Sequence, residues 1–488
     1  MMAGRCIPAA ARLALCAPLS ARTLSSSRPS FLESYTPIDD ERKAFRDTMS
    51  KFVKADIIPN ITGWERDQTF PRELYRAAGE VGLLGVNMPV EYGGVGGGIL
   101  ALMDSCDAMC VSGSGGLMAS LTSHQIALPP IVHLGSDVLK ARVLPPVIAG
   151  DAIAALAITE PGGGSDVANL TTRAVRDGDD FVLSGEKTFI TSGMRADFVT
   201  VACRTGEAGA GGVSLILVEG DRPGLTRSPL AKMGWRCSDT ATLSFDGVRV
   251  PATNLIGAEN SGFKGIMLNF NNERLMLAAM AEGLMRVCYD EALGWAQQRK
   301  TFGRRLADHQ VLSTGGSRGL RVGGEEKNCV FSVRECMWGL PRKVILCPRL
   351  RRGAAALHDP ARVLASRALR HASPLACVQT NKTKTHPKVI RHKLVDMATA
   401  VNSTRAMLIA TAHAAASGQN PVAEICQLKN HATTSLERVA SDAVQVLGGA
   451  GFVEGLASER IFRETKVLQI GGGSTEIMKD LAARQMKM

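Results

Sequence analysis

Residues 262–303 read GFKGIMLNFNNERLMLAAMAEGLMRVCYDEALGWAQQRKTFG. Within them Ile266, Phe270, Leu277, Met280, Leu284 and Cys288 recur at steps of three, four and seven, the period of one buried face of an α-helix. Glu273 falls on that face, three residues after Phe270 and four before Leu277. A carboxylate held among apolar side chains is desolvated, which disfavours its charged form and raises its pKa. Such a group is a candidate general base. A helical Glu also occurs at an interface edge or beside a cation, so the rest of the chain must choose between these readings.

On the N-terminal side the period changes twice. From residue 37 to 150 the pattern is helical: Phe45, Met49, Phe52 and Val53 share one face, and Leu74, Ala77, Ala78, Val81 and Leu83 share another. The run PVEYGG at 89–94 marks a turn. From about 151 to 261 the pattern alternates, with β-branched and aromatic runs at 181–183, 198–201, 213–218 and 241–245, the profile of a small β-domain. From 262 to 488 it is helical again, broken by glycines at 448–451 and 471–473, which predicts a four-helix-bundle domain. The fold class is therefore α+β in the order α, β, α, with clefts between domains where cofactors usually sit.

The chain has 488 residues, enough for two or three domains, and its 21% charged and 45% hydrophobic residues describe a globular protein. No uninterrupted apolar run is long enough to cross a bilayer, so a soluble protein without a transmembrane segment is expected. The net charge of +11 is local. Residues 311–388 hold 15 Lys+Arg against 4 Asp+Glu, leaving 42 of each sign elsewhere. With no aromatic interleaving, that segment does not read as a nucleic-acid surface. The twelve cysteines lack zinc-ligand spacing and read as buried free thiols, so no metal site is expected. Residues 1–32 carry Arg5, Arg12, Arg22 and Arg28, a run of serines at 25–27, and no acid before Glu33, the profile of a mitochondrial transit peptide addressed to the matrix.

Two glycine-bearing stretches carry further chemistry. LAITEPGGGSD at 156–166 sets three glycines between Thr159 and Ser165, so that backbone N–H groups and hydroxyls can approach a flat or anionic ligand. GEKTFITS at 185–192 puts an aromatic ring beside hydroxyls on a strand edge. Together they resemble the flavin-binding motifs of the acyl-CoA dehydrogenase family. The likeness continues, in the family's order, through MGWRCSDT at 233–240, VRVP at 248–251, RKTFG at 299–303, QVLGGAGF at 445–452 and IGGGSTEI at 470–477.

The resemblance implies FAD, held by Leu156, Ile158, Thr159, Gly164, Ser165, Phe189 and Thr191, with Thr191 near the flavin N5. It implies further that Arg299, Thr301, Phe302, Gln310, Gln445 and Gly449 reach the adenosine-pyrophosphate end of an FAD held by a neighbouring subunit. Ser474 joins the cofactor set. A site shared between chains implies a homo-oligomer, which the resemblance makes a homotetramer. Ser165, Asn271, Arg274 and Gly472 fall where the family contacts acyl-CoA.

At the base the sequence departs from the commonest pattern, a Glu in a C-terminal Y-E-G-T, because Gly472 stands there. In isovaleryl-CoA and long-chain acyl-CoA dehydrogenases the base comes from the long helix, in an E-R-L context, and glycine takes the C-terminal position. Glu273, Arg274, Leu275 and Gly472 reproduce that pairing, which makes Glu273 the expected catalytic base. The implied activity is dehydrogenation of an acyl-CoA to the trans-2-enoyl thioester, with electrons passed to electron-transfer flavoprotein. The alternatives are an acyl-CoA oxidase and a non-catalytic member disabled by residues 311–388.

Residues 311–388 interrupt the family pattern. Rich in Gly, Arg, Cys and Pro, they show no sustained helical or strand period and read as no part of the working fold; a basic interaction module is the other reading. Every Val codon begins with GU and a Lys codon can end in AG, so a segment running from Val311 to Lys388 is consistent with an unspliced in-frame intron.

Overall fold

The structure, a computed structural model, describes residues 39–301, 303–308, 320–322, 325–327 and 388–488. The expected transit segment, Phe302, Gln310 and most of 311–388 lie outside these residues.

The N-terminal domain is helical throughout. Helix α1 (Asp40–Phe52) begins where the Asp39 side chain accepts the Arg42 N–H at 2.8 Å, and it buries Met49 and Phe52. Helices α2 (Ile61–Asp67) and α3 (Glu73–Glu80) follow, then α4 (Gly98–Cys110), α5 (Gly115–Leu121), α6 (His124–Ala127), α7 (Pro129–Leu134) and α8 (Asp137–Ile148). Helix α4 is apolar on most sides and lies against both α1 and the long helix α9 (Gly262–Gln298). Its two acids take cations from several directions. Asp104 receives Arg42 at 2.7 Å and Asp107 receives Arg46 at 2.8 Å, while Arg286 of α9 also pairs with Asp107. These buried charges are paired, as their desolvation requires.

The β-domain is one sheet. Strands β1 (Ala154–Ala157), β2 (Arg173–Asp177), β3 (Asp180–Ile190), β4 (Phe198–Arg204), β5 (Val213–Glu219), β6 (Leu225–Pro229), β7 (Ala241–Pro251) and β8 (Leu255–Ile256) give the order β6-β7-β3-β2-β4-β5-β8, with β1 parallel to β4. One side, with Phe181, Leu183, Val199, Val201, Ile216 and Leu243, forms a core of its own. The other, with Ala202, Leu215 and Leu217, packs on Ile131, Val143 and Ile266 from α7, α8 and α9. Burial on both faces explains why 215–218 is continuously apolar instead of alternating. Strand β1 was not visible as a strand because its alanine-rich sequence lacks β-branched residues.

In the C-terminal domain α9 lies along α11 (Val422–Leu447). Helix α13 (Ala457–Ile470) packs on both, and α14 (Thr475–Gln485) packs on α11. Helix α10 (Lys388–Ala416) is joined to them by the pairs Lys393–Asp442 and Arg405–Glu282. A one-turn helix, α12 (Gly449–Phe452), follows α11. Helix α9 stops at Gln298, and a hairpin of β9 (Lys300–Thr301) and β10 (Arg304–Arg305) turns through Gly303 at φ 78°. Helical periodicity gives no warning of a strand pair this short. A second hairpin, β11 (Leu320–Val322) with β12 (Glu325–Lys327), forms where no strand period was visible and belongs to a unit separate from the rest of the chain. No described helix is long and apolar enough to cross a membrane. Among the described residues the six free cysteines are all buried and no metal-binding cluster occurs.

Candidate active site

The glycine-bearing loop after β1 is fixed by a buried ion pair. Lys187, on β3 and 0% exposed, donates from Nζ to Glu160 Oε1 and to the Ile158 carbonyl, both at 2.8 Å. Glu160 also accepts the Thr171 N–H and hydroxyl, each at 2.6 Å, and the Thr172 N–H at 2.8 Å. Burial alone raises the Glu160 pKa, but the bonds from Lys187, Thr171 and Thr172 outweigh it and bring the pKa to about 2. Burial in turn lowers the Lys187 pKa, against the pull of Glu160. The Thr188 N–H closes the arrangement on the Thr159 carbonyl at 2.9 Å. Neither partner of this pair was singled out from the sequence. The available signal was parity, since Lys187 shares the inward face of β3 with Phe181 and Leu183.

Beyond Lys187 the register with β7 shifts, and Phe189 takes φ 61° with 68% of its surface exposed. Ser192, at φ 60°, is buried with its hydroxyl 3.1 Å from that of Ser123 and 3.3 Å from that of Tyr75. Thr191 is held between these two left-handed residues. Gly164 lies against Thr159, Ser165 is exposed, and nothing stands within 4 Å of where a β-carbon on Gly162 or Gly163 would be. Leu156, Ile158, Thr159, Gly164, Ser165, Phe189 and Thr191 thus gather at one end of β1 and β3. A strained backbone that presents an aromatic ring to solvent, beside neutral hydroxyls and an unobstructed glycine loop, fits a flat heteroaromatic ring such as the isoalloxazine of FAD.

A second cluster forms where α9 meets the turn at 471–473. Gly472 has φ 65°, and a β-carbon built on it would lie 2.6 Å from Leu277 Cδ1 and 3.6 Å from Glu273 Oε1. Burial raises the pKa of the Glu273 carboxyl, opposed by the cations of Arg274 and Lys429. Arg274 donates from Nε to the Gly472 carbonyl at 3.2 Å and from Nη1 to Asn271 Oδ1 at 3.1 Å, with its guanidinium 5.4 Å from the centre of the Phe270 ring. Asn271 in turn donates to Asn420 Oδ1 at 3.1 Å. The four residues Asn271, Glu273, Arg274 and Gly472 therefore meet. Lys429 was not anticipated, although a lone lysine among Ile425, Cys426, Leu428 and Ala432 is the same signal that exposed Glu273. A cavity of about 390 Å³ borders α9 at Asn272, lined also by Asn87, Met88, Pro89, Val132 and His133.

The remaining expected residues lie elsewhere. Arg299 ends α9 with its guanidinium 5.4 Å from the centre of the Trp295 ring, and Thr301 pairs with Arg304. At 1.5 Å per residue, Arg299 is about 39 Å along the helix from Glu273. Gln445 and Gly449 are exposed at the end of α11 and the start of α12, where Phe452 is 88% exposed. Ser474 accepts the Ile477 N–H at 3.4 Å and caps α14.

Profiles of the acyl-CoA dehydrogenase N-terminal, middle and C-terminal domains match residues 39–151, residues 155–248, and residues 260–315 with 353–487. The chain belongs to the acyl-CoA dehydrogenase family. It is similar to the long-chain specific acyl-CoA dehydrogenase of Mus musculus mitochondria, 29% identical over 450 residues covering 91% of this chain and 86% of that one. It is also similar to the mitochondrial isovaleryl-CoA dehydrogenase of Oryza sativa subsp. japonica, 28% identical over 474 residues covering 96% and 95%. Among solved structures, a probable acyl-CoA dehydrogenase from Mycobacterium abscessus superposes with a TM-score of 0.75 at 39% identity, covering 92% of this chain and 99% of that one.

Proposed function

We propose that this protein dehydrogenates an acyl-CoA between its α and β carbons, with Glu273 as the base and FAD as cofactor, giving the trans-2-enoyl thioester. The observation that carries the reading is the carboxyl of Glu273, desolvated and facing Gly472 at the turn where other members of the family place their base.

The α-C–H of a thioester is weakly acidic, so its removal needs a base whose proton affinity is raised above that of an ordinary carboxylate. Burial gives Glu273 that affinity, and one of its Oε atoms receives the proton. Gly472 leaves room for the carboxylate and offers its backbone N–H to the thioester carbonyl, where negative charge develops. Asn271, Arg274 and Ser165 bind the acyl-CoA. Leu156, Ile158, Thr159, Gly164, Ser165, Phe189 and Thr191, with Ser474, hold FAD, which when bound supplies the acceptor for the β-hydride. The distance of Arg299 and Thr301 from Glu273 supports their service, with Phe302, Gln310, Gln445 and Gly449, to the FAD of a neighbouring subunit in a homotetramer. Electron-transfer flavoprotein takes the electrons, and the N-terminal composition supports delivery to the mitochondrial matrix.

The test is turnover of purified, flavin-loaded protein on a panel of isovaleryl, medium-chain and long-chain CoA esters, using an artificial electron acceptor with oxygen consumption followed in parallel. Enoyl-CoA formation without oxygen uptake is expected. Uptake matched to turnover identifies an oxidase, and failure to retain flavin identifies a non-catalytic family member.

A further inference from the structure

We infer that Lys429 is the positioning residue of this site: it clamps the 471–473 turn to α11 and provides the fixed positive charge against which Glu273 ionises. Its catalytic consequence rests on the activity proposed above; its effect on Glu273 does not.

Lys429 is 0% exposed, and its Nζ donates to the Gln469 carbonyl at 3.0 Å and the Gly473 carbonyl at 2.7 Å. The first of these belongs to the last turn of α13, where carbonyls have no partner within the helix and the helix dipole favours a cation. The second belongs to the last residue of the turn. One ammonium therefore brackets Gly471 and Gly472, while Arg274 grips the Gly472 carbonyl between them. Three consecutive glycines have little conformational preference of their own, so these two side chains decide where the turn stands.

The charge of Lys429 has a further use. Among the described residues no carboxylate lies within ion-pair distance of its Nζ, although burying an unpaired ammonium is costly. A neutral donor would satisfy the carbonyls at lower cost. The groups that face Lys429 are Glu273 and Arg274 on α9, Cys426 on its own helix and Glu476 on α14. Those that face Glu273 are Arg274 and Lys429. Burial lowers the Lys429 pKa to about 8, with Glu273 the first group opposing that fall, so the charge is present at neutral pH and acts on the base through space.

The experiment compares the full-length, flavin-loaded wild type with Lys429→Met, Lys429→Gln and Lys429→Arg. Two titrations are followed: the acid limb of kcat/KM, and the infrared carboxyl band of Glu273, identified by its loss in Glu273→Gln. Removing a cation near a carboxylate raises its pKa by about one unit or more. Both midpoints are therefore expected to rise by about one pH unit in Lys429→Met and Lys429→Gln, and to stay within a few tenths (~0.3) of wild type in Lys429→Arg. If Lys429→Met does not fold, Lys429→Gln against Lys429→Arg makes the same comparison. Unmoved midpoints in a folded neutral variant overturn the inference, whatever the loss of rate or melting temperature. An infrared shift in a protein that turns over no thioester upholds the Lys429–Glu273 coupling and rejects the proposed activity instead.

Discussion

A β-carbon on Gly472 would stand 3.6 Å from Oε1 of Glu273, so the glycine and the carboxylate occupy adjoining parts of one space. The helix supplies the acid and the turn makes room for it.

Glu273→Gln is expected to retain flavin and the wild-type melting temperature while turnover falls by about 10²- to 10⁴-fold, the usual contribution of a general base. Flavin absorbance and steady-state rates on the same preparation check this. In the wild type, kcat/KM should fall as pH drops through a midpoint above the usual carboxylate range, because burial raises the Glu273 pKa and only the ionised form accepts a proton. Wild-type activity in Glu273→Gln would remove Glu273 as the base.

The double variant Glu273→Gly with Gly472→Glu moves the carboxylate across that shared space. Only part of the rate should return, because φ 65° at position 472 costs a non-glycine residue about 1–3 kcal/mol and its β-carbon meets Leu277 Cδ1 at 2.6 Å. Adding Leu277→Ala removes the contact and should raise turnover further. Equal rates with and without Leu277→Ala would show that the contact is harmless.

Lys187→Met should lower stability by about 3–5 kcal/mol and release flavin, since Glu160 is left as a buried charge without its cation. Denaturant unfolding and flavin retention measure the two effects. The wild-type pair has its own pH signature. The Glu160 pKa, about 2, is below its usual value of 4.5, so its stabilisation is complete above 4.5 and is lost as pH falls through about 2.

Glu464 behaves in the opposite sense. Buried and facing Glu65, with one oxygen accepting the Gly115 N–H at 2.7 Å, it has a pKa raised to about 8. The folded state holds a proton that the unfolded state releases near 4.5, so its contribution is complete below 4.5 and is lost as pH rises through about 8. Glu464→Gln should therefore flatten the decline in melting temperature between these limits. A decline as steep as in the wild type would show that another group causes it.

Deletion of residues 311–388, joining Gln310 to Val389, is expected to increase solubility, flavin content and oligomer yield. A flexible loop adds only about 0.6 kcal/mol of closure cost per doubling in length, so crowding at an interface is the greater hazard. The family profile resumes at residue 353, which makes deletion of 316–352 alone the informative comparison. Loss of flavin or of oligomer on both deletions would mark the segment as a working part of the protein.

What the sequence determined by itself is what repeats locally. The helical period of 262–298, the strand at 213–218, the glycine loop at 162–164 and the place of the half-buried Glu273 on the inward face of its helix depend on neighbours a few residues apart, and each was legible in the chain alone. Short elements with weak composition, such as β1 and the hairpin at 300–305, escaped because a period needs several repeats before it can be seen. The tertiary structure alone decided which distant residues meet. Glu160 with Lys187, Gly472 with Glu273, and Lys429 with the Gly473 carbonyl are brought together by strand pairing or helix packing, and no local period encodes a partner. The same packing decides their chemistry, because a carboxylate or ammonium changes its proton affinity only once the fold has removed its water.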